Sequence, residues 1–148
     1  MNAQDVAAMI DEDRAEWEAL VLLLEAHPNK VLHDPESPGW TARDVYTHLA
    51  RMMETTTNVM EAKLAGHQIR DWGDGDDEAE NKANAEIQRT YSHMGLDDAR
   101  TWAEEQFERR IRVIESIPAD ASDHQMERLM RADGAHHYRA HRSFIAVA

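Results

Sequence analysis

The sequence predicts an all-α fold of four main helices and one accessory helix, on three observations. Apolar residues recur at helical spacing through several long stretches. Capping residues and helix breakers punctuate those stretches. No alternation of apolar and polar residues reads as a strand, and there is no internal repeat or low-complexity tract. At 148 residues the simplest organisation is one domain spanning 1–148, large enough for a real core.

The first helix is expected from about Ala3 to His27. Val6, Met9, Ile10, Trp17, Leu20, Val21 and Leu24 form its apolar face, with acidic residues on the other side, and Pro28 stops it. Pro28 to Trp40 contains three of the four prolines and Gly39, so it reads as a loop. Thr41 then opens the second helix: its hydroxyl suits the orphan amides, Asp44 completes a capping box, and Trp40 and Val45 occupy the positions of a hydrophobic staple. This helix is expected to reach Leu64 and end at Gly66, with Val45, His48, Leu49, Met52, Val59 and Met60 facing inward.

The acidic, glycine-rich run after Gly66 reads as a mobile loop carrying one large apolar side chain, Trp72. A shorter helix is expected from Glu78 to about His93, with Ile87 and Tyr91 one turn apart. Gly95 breaks the pattern and Asp97 is the expected cap of the next helix, Asp98 to Ser116. That helix should bury Trp102, Phe107, Ile111 and Ile114, with Ala103 and Arg110 at the margins, before Pro118 ends it. Residues 119–132 are ambiguous, although Met126, Leu129 and Met130 suggest a helical turn or two. Asp133 is the expected cap of the final helix, with Gly134 in its first turn.

Composition narrows the functional classes. Cysteine is absent, which removes disulfides, thiolate ligands and a cysteine nucleophile, and leaves histidine and carboxylate as transition-metal ligands. Sixteen basic residues against twenty-nine acidic ones give a net charge of −13, a field that repels phosphate backbones and anionic membranes. Neither nucleic acid nor a membrane is therefore an expected partner. The N-terminus lacks the basic-then-apolar order of a signal peptide, and the longest apolar run, Ala19 to Leu24, is far too short to span a bilayer. The expected compartment is the cytoplasm.

The chemistry-bearing stretch lies near the end. His137 and His141 stand four residues apart, so a helix stacks them on one face together with Tyr138, Phe144 and Ile145. An imidazole buried without a partner is costly. His48, in the middle of the apolar stripe of the second helix, offers a third ring. Three neutral imidazoles hold a borderline divalent cation and leave one or more positions open. Spacing alone leaves two readings standing, a metal triad or satisfied core histidines. His136 points about 100° away from His137 around the helix and does not share a face with His141.

Gly39-Trp40-Thr41-Ala42-Arg43-Asp44-Val45, then His48-Leu49-Ala50, with His137-Tyr138-Arg139-Ala140-His141 near the end, resembles the DinB-like superfamily of damage-inducible helical bundles. The pattern is most similar to the DfsB/colibactin-resistance branch. Asn81-x-x-Asn84 and Ile114-Glu-Ser-Ile-Pro118 extend the likeness over nearly the whole chain. The resemblance implies a four-helix bundle, often a homodimer, with a divalent metal (zinc, nickel or iron) at His48, His137 and His141. It also implies thiol-dependent S-transferase, isomerase or hydrolase chemistry on a small-molecule electrophile, with a low-molecular-weight thiol as cosubstrate in some members, in detoxification or self-protection. The chain ends at Ala148 without the second domain of the mycothiol-dependent type, so part of a thiol-binding surface is expected to be lacking.

Other residues carry paired readings. Asp44 is either a cap, the simpler reading, or the acceptor that orients His48. Tyr138 is core or substrate contact, and Trp72 with its acidic loop is surface or lid. Asn81 and Asn84 start a polar helix or line a pocket mouth, the methionines pack the core, and the glutamates of 97–115 form a solvated face. No general base is identifiable. The alternatives to an enzyme are a metal-containing bundle that binds a small molecule or only stiffens its core, and a metal-free bundle working through a dimer face.

Overall fold

A computed structural model describes residues 1–33, 37–70 and 77–146. Six α-helices follow in chain order: α1 Ala3–Ala26, α2 Ala42–Leu64, α3 Asp77–Thr90, α4 Leu96–Ser116, α5 His124–Ala132 and α6 Ala135–Ala146. A single 3₁₀ turn, Ala119–Ala121, precedes α5. No strand occurs among the described residues, and the chain is an all-α helical bundle. α2 packs chiefly along α4 and α1 along α6, while α3 and α5 lean on α2.

The ends of α2 follow the local rules. The Thr41 amide donates to Asp44 Oδ2 at 3.0 Å in a capping box, Trp40 and Val45 are both buried, and Gly66 takes φ +92° just past the end. Asn2 and Asp5 form the same reciprocal box at α1. The early turns of α2 are buried nearly all round, from Ala42 through Ala50 except for half-buried Arg43. This helix is therefore central to the bundle, not a one-sided surface element. Met53 and Met60, not Met52, are the fully buried methionines of α2, and Tyr46, Thr56 and Thr57 are buried with them.

Several expectations need correction. α4 begins at Leu96 with Gly95 at the cap position, and Asp97 sits in the first turn, where its charge meets the positive end of the helix dipole and pairs with Arg100. Trp102 is only half-buried, against Tyr91 at 4.7 Å between ring centroids. Arg110 is wholly buried, with its guanidinium 2.9 Å from the Asp13 carboxylate of α1. The ambiguous 119–132 segment yields α5, capped by Asp123, with Met126, Leu129 and Met130 in the core. Asp133 does not cap α6. It ends α5, and the Ala135 amide that opens α6 donates instead to Asp13 Oδ1 at 2.7 Å.

The core is apolar and aromatic. Trp17 stacks on Phe107 at 4.9 Å, and Tyr138 meets both rings edge-on. Each such pair contributes about 0.5–1.5 kcal/mol beyond area burial. The Asp13–Arg110 pair sits among these residues and ties α1 to α4.

Candidate metal centre

The three histidines converge. Nε2 of His137 lies 3.3 Å from Nε2 of His48 and 3.0 Å from Nε2 of His141, and ligand atoms of the three fall within 4.8 Å of one another. They can hold a metal ion: two ligands of one tetrahedral ion at zinc–nitrogen distances stand about 3.4 Å apart. Hydrogen bonding alone cannot satisfy this arrangement. Neutral imidazole nitrogens carry either one proton or one lone pair, so His137 Nε2 can bond to one neighbour and must face the other unfavourably. A cation held by His48, His137 and His141 would accept a lone pair from each ring.

Each ring is held there for a traceable reason. The capping box and the Trp40 staple fix the first turns of α2, and the Trp40 indole lies 5.1 Å from the His48 ring. The four-residue spacing puts His137 and His141 on one side of α6, with ring centroids 4.8 Å apart. The approach of α6 depends on Gly134, where an added Cβ would stand 2.6 Å from Asp13 Oδ1 and 2.9 Å from Arg110 Nη2. Lacking a side chain, the turn between α5 and α6 seats directly on the buried ion pair.

Burial and charge keep the rings neutral. The His48 ring is 4% exposed and His141 7%, whereas His137 retains 19% side-chain exposure, so the cluster opens at His137. Burial foremost, then the neighbouring His137, lowers His48 to about 3, against an opposing pull from Asp133. Burial likewise holds His141 well below its ordinary 6.5, reinforced by His137 and His48. Neutral imidazoles present the lone pairs that a metal requires.

Behind His137 stands a carboxylate. Asp133 is 3% exposed, and its Oδ1 lies 3.3 Å from His137 Nδ1, although the alignment falls short of a hydrogen bond. The Thr56 hydroxyl of α2 donates to Oδ2. Burial pushes the Asp133 carboxyl upward, but His137, Thr56 and Arg110 outweigh it and hold the group below its usual range. Among the described residues, Nδ1 of His48 and of His141 has no hydrogen-bond partner.

The remaining candidates fall on either side. Asp44 binds the Thr41 amide and Arg43, so it is a cap and not the acceptor for His48. Tyr138 is fully buried core, with its hydroxyl 3.2 Å from Met53 Sδ, and His136 is exposed. Trp72 and its acidic loop, and the Asn81 side chain, lie outside the described residues, while Asn84 is half-buried on α3. Sequence reasoning missed Asp133, Thr56, Asp13 and Arg110 as neighbours of the site. One signal was available: Asp133 precedes His137 by the same four residues that separate His137 from His141.

Two grooves lie away from the triad. A groove of about 440 Å³ is floored by Val6, Ile10, Ile114 and Ile117, and one of about 490 Å³ by Trp17, Val21 and Phe107. Among the described residues no helix is long and apolar enough to cross a membrane. Comparison of the chain with family models, curated proteins and solved structures gave no match.

Proposed function

We propose that this bundle holds a divalent cation on His48, His137 and His141 and uses it to direct a small nucleophile, water or a low-molecular-weight thiol, at a small electrophile. The metal half of this reading rests on one observation: three buried or half-buried imidazole nitrogens share a space that their own protons cannot satisfy. The reactive half rests on the half-exposed edge of His137 and on the resemblance of the Gly39–Ala50 and His137–His141 motifs to the DinB-like superfamily. When bound, the cation supplies Lewis acidity, which favours the deprotonated form of water or a thiol at neutral pH. Histidine nitrogen suits zinc, nickel and iron alike. The chain's own contribution is to keep the rings neutral, hold their lone pairs on one point and leave one edge open.

Elemental analysis of the purified protein tests this directly, with about one equivalent of metal per chain expected and His137→Ala losing it. Zinc at about one hundred times its dissociation constant should stabilise the fold by about 2.7 kcal/mol, an increment that chelator removes. A thiol-and-electrophile screen then separates the enzyme from a bundle whose metal only stiffens the core. The burial of His48 and His141 favours that second reading, and it predicts chelator-sensitive melting with no product. Wild-type protein that neither carries metal nor gains stability from it overturns both.

A further inference from the structure

We propose that Asp133 is the positioning residue of the metal centre, accepting a hydrogen bond from the Nδ1–H of His137 so that the Nε2 lone pair of that ring faces His48 and His141. The inference rests on the metal-centre reading above and goes beyond it, because it assigns one carboxylate to one ring and one tautomer.

Three features of the structure carry it. His137 is the hub of the triad, since its Nε2 lies close to both other rings. A proton on that nitrogen would point into both neighbours' ring nitrogens, so the useful tautomer carries its proton on Nδ1. Asp133 stands on the Nδ1 side, at 3.3 Å, and no other carboxylate contacts any of the three rings among the described residues. The ring torsion of histidine is broad, so the imidazole is free to adjust toward that acceptor.

The carboxylate is itself held. Its second oxygen accepts from Thr56 of α2, and the next residue, Gly134, is packed against Asp13 and Arg110 with no room for a Cβ. The wholly buried Arg110–Asp13 pair therefore seats the α5–α6 turn, the turn places Asp133, and Asp133 faces the ring. A capping role does not account for Asp133, because the opening amide of α6 is already taken by Asp13. Ligating histidines usually give their second N–H to such an acceptor, and loss of that acceptor weakens metal binding about 10–100-fold.

Cobalt(II) is the probe. Chelator competition on Asp133→Asn, with folding checked by circular dichroism, should show cobalt affinity reduced about 10–100-fold and visible ligand-field bands altered in position or intensity. Asp133→Glu should recover part of the affinity. A purely structural role predicts a lower melting temperature with unchanged affinity and spectrum in the folded variant, and that result overturns the proposal. Should Asp133→Asn fail to fold, nitrogen-detected imidazole NMR of the zinc-loaded wild type decides. His137 bound through Nε2, with a slowly exchanging, downfield Nδ1 proton, is expected, and coordination through Nδ1 overturns the proposal. Wild-type protein that takes up neither metal fails at the metal-centre reading, whereas normal uptake with an indifferent Asp133 fails here alone.

Discussion

Replacing Gly134 with alanine adds one methyl carbon where the backbone packs directly against a buried ion pair. That carbon would stand 2.6 Å from Asp13 Oδ1 and 2.9 Å from Arg110 Nη2. Neither atom is free to retreat: Asp13 holds the Ala135 amide at 2.7 Å and Arg110 at 2.9 Å, and both side chains are buried. Overpacking of this kind costs about 1–3 kcal/mol, against which the stiffer unfolded chain returns about 0.4–1 kcal/mol. A net loss of about 1–2 kcal/mol remains. For 148 residues the unfolding entropy is about 0.3 kcal/mol/K, so the melting temperature should fall by about 3–6 °C. Thermal melts followed by circular dichroism, in chelator so that metal does not mask the effect, read this out. A Gly134→Ala melting temperature equal to that of the wild type would refute the claim that the α5–α6 turn is seated on the ion pair.

Two further perturbations test the same frame. Arg110→Met keeps the bulk but leaves the buried Asp13 carboxylate without its cation, a loss of about 3–5 kcal/mol by urea denaturation. Adding Asp13→Asn should restore part of that, and no restoration would mean that the pair is not the source of the loss. In chelator, stability should fall as pH drops below about 6.5, because the unfolded chain then protonates His48 and His141 while the folded rings, with His48 at about 3, do not. Each imidazole contributes up to about 1.4 kcal/mol per pH unit in that window. His48→Gln should flatten the slope, and pH-independent unfolding between pH 7 and 5 would contradict the burial of the rings.

Much of the fold was legible because helices are local objects. The Thr41–Asp44 box, the Trp40–Val45 staple and the breaks at Pro28, Gly66 and Pro118 are satisfied within a few residues of chain, and the structure places helix ends beside each of them. Errors arose where polar residues point inward. Periodicity assigns Asp13 to the acidic face of α1 and Arg110 to the margin of α4, since counting turns does not reveal that two distant charges neutralise each other inside the bundle. Periodicity makes the first turns of α2 one-sided for a similar reason: Tyr46, Thr47 and Ala50 look like surface residues until helices cover every side.

What the sequence alone determined is the helical class and the shared face of His137 and His141, because both follow from the pitch of a helix acting over four residues. It also offered His48 and left its company open. Only the tertiary structure brought that ring, 89 residues away in the chain, to 3.3 Å from His137, put Asp133 behind the same ring and left no open space for a side chain at position 134. These are distances between separate helices. They are set by how buried surfaces and opposed charges dock, a balance summed over the whole core and carried by no single stretch of chain.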